Sequence, residues 1–132
     1  MNSPTMNKKK IMYSLEFPIR CSPNILYEFL STPVGLQEWF ADKVDQREQT
    51  FYFTWNGSTD TAEILEHVDN EFIRYRWSHY AKGEFFEFSI DQSMVTNETI
   101  LRVTDFADKA EQKDQERLWN SQVSELKHRI GS

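Results

Sequence analysis

Three histidines (His67, His79, His128), one cysteine (Cys21) and two carboxylates at inward strand positions (Glu66, Asp105) are the residues of this chain whose chemistry reaches beyond packing. A metal site needs several Cys, His or carboxylate ligands at short, regular spacing. None of the histidines has such partners. His67 shares with Glu63 the strand face opposite Ile64, which directs it to solvent. His79 stands beside Tyr80 at a strand rim and could exchange a proton with a ligand, a role that requires a positioned partner. Cys21 lies just before a helix start, where a thiol pKa can fall; the alternative is a small half-buried residue at a strand end. Four glycines leave little room for a P-loop, a G-x-S-x-G or a dinucleotide pattern, and none occurs. No catalytic set, metal site or cofactor is expected.

The two carboxylates carry more information. The phase of Leu101 and Val103 puts Asp105 on the covered face of its strand, and Glu66 shares the phase of Ile64 and Val68. An unpaired buried carboxylate is costly, so each must find partners or rise in pKa and become a functional candidate. The alternative is a bulge or strand end that turns the acid outward, which at Asp105 would also bury Phe106. Tyr13 and Tyr75 bring phenol groups to the same face.

The elements that must position these residues follow from periodicity. Tyr13, Leu15 and Phe17 alternate with Ser14 and Glu16 in a first strand, closed by Pro18 at an end or edge. Ser22-Pro23 and Thr32-Pro33 each pair an N-cap residue with a first-turn proline, predicting two short helices. The first presents Ile25, Leu26, Phe29 and Leu30 as its apolar face; the second carries Leu36 and Trp39 inward and leads into a strand at Phe40. "TFYFTW", an Asn56-Gly57 turn, "TAEILEHV", "FIRYRW", "EFFEFSI" and "TILRVTDF" then read as successive antiparallel strands with one covered face. From about Asp108 the chain is helical: Asp108 and Glu111 form a capping-box pattern, and Trp119, Val123, Leu126 and Ile130 make a stripe with Leu118 and Gln122 beside it. Gly131 terminates the helix. The fold class is α+β, a curved antiparallel sheet with two short helices and one long C-terminal helix.

Length and composition bound the function. The 132 residues suit a polar lead-in over 1–9 and a single domain over 10–132. A net charge of −6 argues against a nucleic-acid partner, and Lys8-Lys9-Lys10 reads as a solvated flank. No apolar run approaches the roughly 20 residues that span a bilayer, so no integral membrane association is expected. The absence of an apolar leader and the lone cysteine point to the cytoplasm. Aromatic residues make up 14% of the chain, a share that supplies either a thick core or aromatic cavity walls. The set Trp39, Phe53, Trp55, Tyr75, Trp77, Phe86, Phe88 and Trp119 can line an apolar pocket or fill the space between helix and sheet.

Ser22-Pro23 with Ile25, Tyr27, Phe29 and Leu30, then Pro33, Leu36 and Trp39, then Ala62-Glu63-Ile64, Tyr75-Arg76-Trp77, and Thr99 with Leu101 and Val103, resemble the START-like superfamily. Its helix-grip fold is also that of the birch-pollen allergen. Within it the chain is most similar to the branch of the activator of the heat-shock ninety ATPase, over roughly residues 10 to 130. The resemblance implies a cavity between the long helix and the concave sheet. Relatives use it for lipids, hormones, polyketides and other apolar molecules, some with cyclisation or hydrolysis, while others contact a chaperone. The expected site is the aromatic set with Asp105 and Val123, binding a small apolar or aromatic ligand. The alternative is a protein-interaction module, a chaperone co-regulator or homodimer, with a filled core and surface aromatics Phe40, Tyr80 and Phe85.

Overall fold

The computed structural model describes residues 9–131; the lead-in expected over 1–9 lies outside them except for Lys9. Seven strands form one antiparallel sheet: β1 (Ile11–Ile19), β2 (Lys43–Arg47), β3 (Thr50–Trp55), β4 (Ser58–Val68), β5 (Phe72–Trp77), β6 (Phe86–Gln92) and β7 (Thr99–Ala107). Their order across the sheet is β1-β7-β6-β5-β4-β3-β2, so β1 and β2 are its edges. The helices are α1 (Pro23–Ser31), α2 (Pro33–Gln37) and α3 (Gln112–Ile130). The first two connect the edge strands, and α3 lies along β1 and β7. This is the helix-grip arrangement that the resemblance implies.

Alternation does what it predicts on most strands. Phe51 and Phe53, Ile73 and Tyr75, Phe86 and Phe88, and Leu101 and Val103 are buried in one core with Leu26, Leu30, Leu36 and Leu126. The opposite face carries ion pairs, Arg74 with Glu87 at 2.8 Å and Arg102 with Glu16 and Asp91 at 2.8 and 2.9 Å. The turn between β3 and β4 has positive φ at both Asn56 and Gly57, the geometry that matches the twist of a two-residue hairpin. Pro18 is accommodated because β1 has a free edge.

Several local expectations change. Ser22 occupies the N-cap of α1 without a side-chain cap bond, whereas Thr32 Oγ1 accepts from the Gly35 amide at 3.0 Å. Ile25 is 48% exposed, and Tyr27 takes its place on the buried face of α1. Phe40 is not the start of a strand: it lies in a turn after α2 and the next strand begins at Lys43. That strand, β2, is polar except for Val44, so it carries no alternation to find. α3 begins at Gln112 because residues 109–111 form a turn, closed by Asp108 Oδ1 accepting from the Glu111 amide at 3.1 Å. At Glu66 the outward alternative holds. A register shift between Ile64 and Glu66 turns the acid to solvent and leaves Val68 exposed.

At the junction of α1 and α2 the two backbones approach closely at Gly35. A Cβ on Gly35 would overlap the Glu28 carbonyl oxygen and lie 2.6 Å from Phe29 Cα, both backbone atoms that cannot step aside. Gly35→Ala is therefore expected to destabilise the fold by about 3 kcal/mol or to displace α2. Urea unfolding followed by circular dichroism measures this, and an unchanged midpoint would contradict the close approach.

Candidate functional site

Trp39 and Phe40 come out of α2 together, and both turn inward. Trp39 donates its indole N–H to the Phe29 carbonyl at 2.8 Å, which ties the end of α2 to α1. Phe40, 3% exposed, puts its ring at the middle of the aromatic assembly. It meets Phe53 edge-on at 5.1 Å, lies parallel to Trp119 at 5.8 Å, and contacts Trp55, Trp77, Phe86 and Phe88. Its carbonyl accepts from Trp55 Nε1 at 2.8 Å and from Gln122 Nε2 at 3.3 Å, so one residue joins β3 and α3. This corrects the surface role expected of Phe40. Phe85 is half-buried, with the Arg74 guanidinium 4.0 Å above its ring and Phe106 edge-on at 5.1 Å. Tyr80 is turned inward by its hydroxyl.

The residues expected at the site separate into two groups. Phe53, Tyr75, Phe86, Phe88, Trp39 and Val123 are buried and packed against one another, with Tyr75 Oη donating to the Leu30 carbonyl at 2.8 Å. Trp55, Trp77, Asp105 and Trp119 instead reach a cavity of about 560 Å³ between α3 and the strand ends. Phe40, Tyr80, His79, Gln115, Leu118, Gln122, Lys10 and Glu111 complete its walls. The middle of the grip is thus filled with rings, and open space remains at one end.

Asp105 is the polar centre of that end. At 3% exposure it takes the inward alternative, and its environment shows how a buried acid is tolerated. Oδ1 accepts from Tyr80 Oη at 2.5 Å and from the Phe106 amide at 2.7 Å; Oδ2 accepts from Gln115 Nε2 at 2.8 Å and Trp119 Nε1 at 3.0 Å. Gln115 Nε2 also reaches Tyr13 Oη at 2.6 Å and the Phe106 carbonyl at 3.0 Å. Among the described residues no buried side-chain nitrogen or oxygen lacks a partner. Burial pushes the Asp105 carboxyl above the ordinary aspartate range, against the pull of the Tyr80, Phe106 and Trp119 hydrogen bonds and the Lys10 charge. Burial, then the Asp105 charge, raises both Tyr80 and Tyr13, so both phenols keep their protons.

Tyr80, Gln115 and Lys10 were not expected as members of this site. Gln115 was within reach of sequence reasoning, because it lies four residues before Trp119 on the same helical stripe. Tyr80 and Lys10 lie outside regular elements, in a loop and a strand flank, and no periodicity marks them. His79 lines the cavity and stacks on Trp77 at 6.1 Å. His67 is exposed, 3.7 Å from Asp69. Burial raises the Cys21 thiol, which overrides any lowering by the helix start. Among the described residues no cluster of three His, Cys, Asp or Glu side chains could hold a metal, and no helix is long and apolar enough to cross a membrane.

A curved antiparallel sheet gripping a long C-terminal helix, with an aromatic cavity at one end, defines the class of helix-grip domains. The chain belongs to the START-like superfamily, whose domain matches residues 6–132. The solution NMR structure of BfR322 from Bacteroides fragilis is similar at 35% identity over 92% of each chain, with a TM-score of 0.66. The Aha1 dimer from Colwellia psychrerythraea is 18% identical over 89% of this chain and 93% of its own, with a TM-score of 0.74. Protein MLL2253 from Mesorhizobium loti is also 18% identical, over 92% and 97%, with a TM-score of 0.74. At these identities the last two share the fold. No curated protein matches the chain.

The Asp105 network makes two measurable statements. Tyr80→Phe removes a charge-assisted donor and is expected to cost about 2 kcal/mol at neutral pH, read by urea unfolding. Because the folded state holds the Asp105 proton more tightly than the unfolded chain, its contribution to stability is fully present below the ordinary aspartate pKa. That contribution is lost as pH rises through the elevated folded value. Comparing unfolding free energies of the wild type and Asp105→Asn from pH 3 to 7 isolates this term. A difference that moves in the opposite direction with pH would show that the carboxyl is not raised.

Proposed function

We propose that this domain binds a small apolar or aromatic molecule in the open end of the grip, without chemical conversion. The observation that carries the reading is the cavity of about 560 Å³, walled by rings and closed at its floor by a saturated polar cluster. Its size suits a small organic ligand, and apolar walls with a few placed polar groups are the usual composition of such sites. In this reading Trp55, Trp77, Trp119 and Asp105 touch the ligand. The buried rings of Trp39, Phe53, Tyr75, Phe86 and Phe88, with Val123, hold those walls in place. One core spanning the described strands and helices supports a single domain over 10–132, and the lone Cys21 supports a reducing, cytoplasmic setting.

Self-association is a second reading, favoured by Leu118. This leucine is 59% exposed on α3 between the cavity and the groove beside Trp39. The structurally similar Aha1 was solved as a dimer. A large exposed apolar side chain at a groove suits a protein contact.

Titration with a neutral aromatic probe, 2-naphthol, followed by indole fluorescence and by the indole N–H resonances, separates the two. Saturable one-to-one binding that shifts the Trp55 and Trp119 resonances is expected, weakened about tenfold in Trp55→Ala. Unmoved resonances across neutral aromatic and lipid probes would end the ligand reading. A dimer in sedimentation equilibrium that dissociates in Leu118→Asp would then favour the second.

A further inference from the structure

The walls of the cavity carry charge as well as rings. At the floor, both oxygens of Asp105 already accept two hydrogen bonds each. Three N–H donors and the Tyr80 hydroxyl converge on this group, and hydrogen bonds of this kind favour its charged form. A ligand that reaches this floor meets a negative charge with no lone-pair direction left for a new N–H or O–H. Glu111 adds a second acid at the rim. Among the described lining residues the only lysine or arginine is Lys10. Its ammonium rests 4.4 Å above the Tyr80 ring and 3.5 Å from Glu84. Glu84 therefore compensates Lys10, and the acids Asp105 and Glu111 remain.

We propose that the cavity selects an organic cation without N–H donors, a quaternary ammonium or an N-alkylated aromatic cation, held by the rings of Trp55, Trp77 and Trp119 and by the charge of Asp105. This rests on the reading of the cavity as a ligand site. A cation against aromatic rings gains from their negative faces, most strongly at indole and when water is excluded. A primary ammonium would surrender its hydrogen bonds to water on entering, and Asp105 has no free acceptor to replace them. A quaternary ammonium has no such bonds to lose. Lys10 marks where a cation sits in this end of the fold, on an aromatic face beside an acid, and it opposes the entry of a second one.

The test uses three probes of one shape on the full chain at low salt: phenyltrimethylammonium, its uncharged isostere tert-butylbenzene, and the anion benzenesulfonate. The cation is expected to bind about tenfold more tightly than the isostere, with the anion weakest. Two exposed-end substitutions shift this in opposite directions. Lys10→Gln is expected to tighten the cation about threefold and Glu111→Gln to weaken it about threefold, both effects fading in 0.5 M salt. Equal affinity of the cation and its isostere, or no response to either substitution, would overturn the cation preference and leave the cavity reading standing. Binding of none of the three would overturn both.

Discussion

A carboxylate withdrawn from water must be answered from every side, and Asp105 draws its answer from three separate parts of the chain. Tyr80 comes from the connection after β5, Gln115 and Trp119 from α3, and the Phe106 amide from β7 itself. These bonds fix the height at which the first half of α3 sits over the sheet. Replacing the whole cluster with apolar groups would leave α3 held by packing alone, which specifies register less sharply than directed bonds do. The position of α3 then sets the cavity, because Trp119 is at once a donor to Asp105 and a wall beside Phe40 and Phe88.

The second constraint is volume. A protein interior packs close to crystal density, and this chain fills the middle of the grip with rings supplied in part from the end of α2. Phe40 and Trp39 enter from the corner after Gln37, each secured through backbone hydrogen bonds rather than through shape alone. Open space remains where the aromatic filling ends, toward Trp55, Trp77 and the loop of His79 and Tyr80. A START-like chain can in this way have both a solid core and a place for a ligand.

Much of this was legible in local pattern. The two proline-marked helix starts, the Asn56-Gly57 hairpin, the stripe of α3 and the inward phase of five strands each depend on residues within one turn or a few positions of one another. The polar edge strand β2 was hidden because exposure on both faces removes the alternation that reveals a strand. The burial of Phe40 was hidden because a turn residue has no phase to extrapolate.

The sequence by itself determined the order of the elements other than β2 and the covered face of most strands, since these follow from periodicity and capping, while the family followed from the motifs of Ser22-Pro23, Tyr75-Arg76-Trp77 and their companions. Only the tertiary structure decided the fate of its two inward-phased acids. Glu66 and Asp105 make the same argument from strand phase, yet a register shift in β4 turns one to water and an unbroken β7 carries the other inside. The partners that make the second outcome tolerable stand 25 residues away at Tyr80 and, through Gln115, reach across 102 residues to Tyr13. Contacts over such separations are set by how the sheet curves under α3, a property of the whole chain that no local pattern records.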